Sequence, residues 1–77
     1  MELNELAVLL VGLFGDKANL SIANIWLKMG ATLTDIVKAY GIMMKKCDRP
    51  SFPYMSKIIM NWMEEREVEH EYSNQGN

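Results

Sequence analysis

Apolar side chains recur along this chain with a helical period, and no stretch sustains the period-two alternation of a half-buried strand. Gly and Pro fall mainly at the boundaries between periodic segments. The first segment, residues 3–14, contains "LAVLLVGLF" and is apolar nearly all round, as a buried helix is. Gly15 and "DKAN" end it. Gly12 inside it costs stability unless a neighbour packs close. The second segment, about 20–29, spaces Ile22, Ile25, Trp26 and Met29 as one buried stripe, and Gly30 is placed to cap its C-terminus.

The third segment, about 33–47, opens on Thr32 as N-cap with Asp35 three residues on, close to a capping box. Leu33, Ile36, Val37, Tyr40, Met43, Met44 and Cys47 fall in one arc of its wheel and are read as core. Cys47 is thereby a small core hydrophobe, and Lys38 and Lys45 are solvated on the far side. "CDRPS" is a turn: Arg49 precedes Pro50 and is pushed out of helical geometry. Ser51 caps the fourth helix, with Pro53 in its first turn. That helix runs from about 52 to 67, and 68–77 is a polar, frayed tail. The expected fold is all-α: one compact domain over residues 1–67, a bundle of about four helices (3–14, 20–29, 33–47 and 52–67).

The fourth helix carries the most distinctive pattern, "FPYMSKIIMNW", with Tyr54, Ile58 and Trp62 at four-residue spacing. With Tyr54 at 0° on the wheel, Ile58 lies at about 40°, Trp62 at about 80°, Met55 at about 100°, Ile59 at about 140° and Met63 at about 180°. The arc puts Trp62 near its middle, so Ile58 and Trp62 are expected to be mainly structural. Tyr54 sits at the border, beside Lys57 and Asn61, where a phenol packs its ring and keeps its hydroxyl wet.

Length limits what such a chain can hold. A domain of 77 residues buries only about 60% of its unfolded surface, and with Cys47 as the sole cysteine no disulfide supports it. A lone thiol fits a reducing, cytoplasmic setting. Cys47 and His70 are too few for a metal site, and no cofactor is expected. Seven methionines suit adaptable core filling. Residues 6–14 are far shorter than the roughly 20 needed to span a bilayer, and Glu2 and Glu5 precede them where a signal peptide has basic residues, so no membrane partner is expected. Catalysis is not expected either: His70 lies in the acidic tail, and Gly12 and Gly15 lack the spacing of a phosphate loop.

Charge is distributed unevenly. The net is −2, but "EEREVEHE" at 64–71 carries five Glu and one Arg. Residues 1–63 hold seven basic and five acidic groups, a net of +2. Lys38, Lys45, Lys46, Arg49 and Lys57 gather within 38–57 against Asp48 alone.

"IVKAYGIMMKK" followed by "SFPYMSKIIMNWMEE" resembles the C-terminal domain of DnaD-like proteins, primosomal replication-initiation proteins of Gram-positive bacteria and their phages. The family reads Y-I-x-x-I-L-x-x-W where this chain has Tyr54, Met55, Ile58, Ile59 and Trp62. The resemblance covers about residues 33–66, and "LFGDKANLS" is similar to the family's preceding "FGRPLS". It implies a compact helical domain that contacts single-stranded DNA through this motif and helps load the replicative helicase. Family members usually carry basic residues after the motif; here that segment is acidic.

Two functional classes follow. In the first, the chain binds single-stranded or duplex DNA, with Tyr54 stacking on a base and Lys38, Lys45, Lys46, Arg49 and Lys57 tracking phosphates. So few basic groups imply weak, salt-sensitive binding. In the second, the Met-rich face of helix four docks a replication initiator or helicase loader. The sequence leaves a homo-oligomer open.

Overall fold

A computed structural model describes residues 2–75, and side chains from Glu2 to Arg66. Four helices follow in order: α1 (Leu3–Phe14), α2 (Leu20–Lys28), α3 (Leu33–Lys46) and α4 (Phe52–Gln75), with a 3-10 turn (Gly15–Lys17) after α1. The boundaries of the first three follow local capping chemistry. Gly15 ends α1 at φ 61°, donating its N–H to the Val11 carbonyl. Asn19 caps α2 by accepting from the Ile22 N–H at 3.1 Å. At the other end of α2, Gly30 has φ 98°; its N–H donates to the Leu27 carbonyl and that of Ala31 to the Trp26 carbonyl. That pair of bonds is a Schellman motif, and its left-handed residue favours glycine. Thr32 and Asp35 form the capping box of α3, each side chain accepting from the other's backbone N–H. Ser51 caps α4, its hydroxyl accepting from the Tyr54 N–H at 3.3 Å.

The fourth helix departs from expectation. Its backbone stays helical to Gln75, past the expected end at 67. No Gly or Pro intervenes between Pro53 and Gly76, and the segment is rich in the good helix former Glu. A helix of 24 residues is about 36 Å long, and the molecule is accordingly elongated, 45 × 27 × 17 Å. Of the segment expected as a polar, frayed tail, 68–77, the side chains and residues 76–77 lie outside the described residues.

The core draws on all four helices. Leu6, Leu10 and Phe14 come from α1, Ala23 and Trp26 from α2, Ile36, Ala39 and Met43 from α3, and Phe52, Met55, Ile59 and Met63 from α4. At one end the rings cluster: Phe52 stacks on Trp26 at 5.2 Å, Phe14 meets Phe52 edge-on at 5.4 Å, and Tyr40 meets Phe14 edge-on at 6.4 Å. The Trp26 indole N–H is buried there without a hydrogen-bond partner.

Two predicted arcs are rotated from where the sequence put them. In α2 the stripe centres on Trp26 and Ala23, and Ile25 is exposed. In α3 the buried face is Asp35, Ile36, Ala39 and Met43, while Leu33, Val37 and Met44 are exposed, and Tyr40 and Cys47 are half-buried. The reason is where α4 lies. It packs on the Asp35–Ala39 edge of α3, where Ala39 is fully buried, and so leaves the opposite edge of a wide apolar arc uncovered. Among the described residues, no helix is long and apolar enough to cross a membrane.

Candidate nucleic-acid interface on the edge of helices three and four

Successive turns of α4 present two parallel apolar rows. Phe52, Met55, Ile59 and Met63 form the inner row, none more than 3% exposed. Tyr54, Ile58 and Trp62 form the outer row, one step around the helix: Tyr54 is 39% exposed, and Ile58 and Trp62 are half-buried against the core. This corrects the expectation that Trp62 lies near the middle of the arc. The centre is held by Met55, Ile59 and Met63, because α2 and α3 both close on that side. The methionines are thus interior, and the Met-rich face of helix four is not an open docking surface. Met60 alone of its methionines is half-buried.

A salt bridge sets the height of this row against α3. The Arg66 guanidinium grips the Asp35 carboxylate with both terminal nitrogens, Nη1 donating to Oδ2 at 2.8 Å and Nη2 to Oδ1. Asp35 Oδ2 also accepts from the backbone N–H and the hydroxyl of Thr32, at 2.8 and 3.0 Å. The Asp35 side chain is 7% exposed and that of Arg66 is 51% exposed. The Arg66 hydrogen bond holds the Asp35 carboxyl well below the usual carboxylate range; burial opposes this, and the Thr32 donors add to the lowering. One carboxylate therefore caps α3 and clamps α4 at once. Arg66 appeared in the sequence as one cation in an acidic block, and a partner 31 residues away leaves no local signal.

Beside that clamp, Asp35, Lys38, Trp62, Glu65 and Arg66 line an open notch of about 310 Å³. Its wall is one half-open indole, with two cations and two carboxylates around it. Helices α3 and α4 run antiparallel across their short turn, and Asp35 meets Arg66 at the far end. At this register Ile42 comes level with Ile58 and Lys46 with Tyr54. Lys38 shares the notch with Trp62, and Ile42, Lys45 and Lys46 are exposed further along α3 toward the turn.

The structure brings the expected cations together unevenly. Lys38 lines the notch with Trp62. Lys45, Lys46 and Arg49 are exposed at the turn end of the hairpin, nearest Tyr54 in register. Lys57 is exposed on the solvent side of α4, one turn on from Tyr54. Of the acidic block, Glu64 and Glu65 are exposed, and Glu65 faces the notch. Residues 67–71, His70 among them, lie outside the described side chains. Among the described residues, no three His, Cys, Asp or Glu side chains gather as a metal site would require.

No family model matches the chain, and no curated protein or solved structure matches it either.

Proposed function

We propose that this chain is a cytoplasmic DNA-binding accessory domain of a replication-initiation system, gripping single strands along the α3–α4 edge and assisting helicase loading. The observation that carries the reading is the placement of Tyr54, Ile58 and Trp62. Tyr54 is exposed and Trp62 half-buried on the outer row of α4, and Lys38 shares a notch with Trp62. The two rings stand about 12 Å apart along the helix axis, far enough to take separate bases. Base–aromatic stacking is worth about 1–3 kcal/mol per base and tolerates any sequence. Lys38 beside Trp62 and Lys45, Lys46 and Arg49 beside Tyr54 supply phosphate contacts at each end, with Lys57 on the outer side. The two carboxylates at the notch oppose them, so binding is weak and falls steeply with salt.

Fluorescence anisotropy with labelled single-stranded and duplex oligonucleotides, at two salt concentrations, tests the reading. Binding to single strands that weakens with salt supports it. No binding at low salt rejects it, and so does binding that is unchanged in both Tyr54→Ala and Lys38→Ala.

A further inference from the structure

The first helix is apolar on both sides, and the fold uses only one of them. Leu6, Leu10 and Phe14 are buried, yet Val8 is 76% exposed and Val11 51% exposed on the opposite face. Ala7, Val8, Val11 and Gly12 line a shallow apolar recess of about 480 Å³ there. Gly12 adds a second observation. It lies inside α1, where glycine is the poorest helix former after proline. Apart from its chain neighbours and the surrounding helix backbone, no described atom comes within 4 Å of where its Cβ would be, so no described packing contact requires a glycine at that position.

We propose that the outer face of α1 is a self-association surface, on which a second copy of this chain packs its own α1 antiparallel. The order of the residues specifies that occupant. A two-fold interface must be complementary to itself. The segment Ala7-Val8-Leu9-Leu10-Val11-Gly12 reads as a near palindrome of size, with a small residue and a valine at each end. Antiparallel helices centred between Leu9 and Leu10 bring Val8 level with the second copy's valine at position 11, and Ala7 level with its glycine at position 12. Each valine then meets a valine, and each small residue a small one, letting the backbones approach closely.

Charge selects the same direction. A parallel pair would set Glu2 and Glu5 beside their own copies and align the helix dipoles unfavourably. A helix of 12 residues is about 18 Å long, too short to bury the roughly 800 Å² per partner of a standard interface. The dimer is therefore weak and forms at high concentration.

Sedimentation equilibrium of the full chain from micromolar to millimolar concentration tests this, with Val8→Glu and Gly12→Gln as variants. Gly12→Gln meets only open space in the monomer and improves helix propensity, so it folds whatever Val8→Glu does. The expected result is a wild type that moves toward twice the monomer mass, and variants that keep their helical circular dichroism and stay monomeric. In a Cys47→Ser background, mixed Val8→Cys and Val11→Cys chains should cross-link to each other in preference to themselves. A wild type that stays monomeric at millimolar concentration overturns the proposal. So does association of Gly12→Gln equal to wild type, or preferential linking of Val8→Cys chains to one another.

Discussion

Trp26 and Trp62 sit in similar phrases of sequence, each with isoleucine one helical turn before it, and the fold treats them differently. Trp26 is wholly buried, stacked on Phe52, its indole N–H without a partner. Trp62 is half-buried, its ring forming the wall of a notch shared with Lys38 and the Asp35–Arg66 clamp. What separates them is what their helices pack against. The stripe of α2 faces straight into the core, whereas on α4 the inner row of Met55, Ile59 and Met63 takes the core and displaces Trp62 to its flank. An apolar residue on a wide arc is thus core or edge according to its neighbours. The edge positions are where a ring stays available to a ligand.

The largest expected effect separates the two tryptophans. Trp26→Ala should cost about 3–5 kcal/mol, as truncation of a buried aromatic does. Trp62→Ala should cost about 1–2 kcal/mol, since part of its surface is already in water. Urea unfolding followed by circular dichroism measures both, and equal losses would erase the distinction.

Tyr54 extends the comparison to binding. Tyr54→Ala should lose about 1–3 kcal/mol of single-strand affinity while keeping its helicity, and Tyr54→Phe should bind nearly as wild type. Lys57→Ala should lower both affinity and the salt slope. Anisotropy titrations paired with circular dichroism distinguish lost stacking from lost folding.

The clamp should matter to stability and to its pH dependence. Arg66→Met should cost about 1–2 kcal/mol, a modest figure because the guanidinium is half in water. Asp35 has a carboxyl held below its ordinary range in the folded state. Its contribution is therefore complete above the unfolded value of about 4 and is lost as pH falls from there toward the lower folded value. Urea midpoints at neutral pH and near pH 3 should show this loss in wild type, and Asp35→Asn should lack that component.

The smallest effect concerns the acidic end. Deleting residues 67–77 keeps Arg66 and its clamp while removing three glutamates that follow it in the sequence. Single-strand affinity at low salt should rise by less than about tenfold, and the rise should fade as salt screens charges beyond about 8 Å. A fall in affinity would place the segment within the binding surface.

Apart from the end of α4, helix limits were legible because their causes are local: Gly15, Gly30, the Thr32–Asp35 box and Ser51 each act within a few residues of the end they fix. Faces were less legible. In α3 the apolar arc is wider than any one neighbour covers, so Leu33 and Val37 share a stripe with Ile36 in sequence but stand in solvent in the fold. The same ambiguity hid which residues of α4 lead inward. The clamp was invisible in principle, since Asp35 already had a sufficient local role as the capping-box acid, and nothing near Arg66 points to it. Of the candidate site, the border position of Tyr54 followed from the wheel. The notch at Trp62 did not, because it needs two helices at a fixed register.

Tryptophan fluorescence tests the central claim, that the outer row of α4 is a stacking surface. Trp26 is shielded in the core, so a ligand that reaches an indole in the folded protein reaches Trp62. Titration with an unlabelled oligothymidylate at low salt should quench the emission of wild type in a saturable way that added salt reverses, and the quenching should vanish in Trp62→Phe. Emission that stays constant at oligonucleotide concentrations where anisotropy reports full binding would contradict the account and place the DNA on another face.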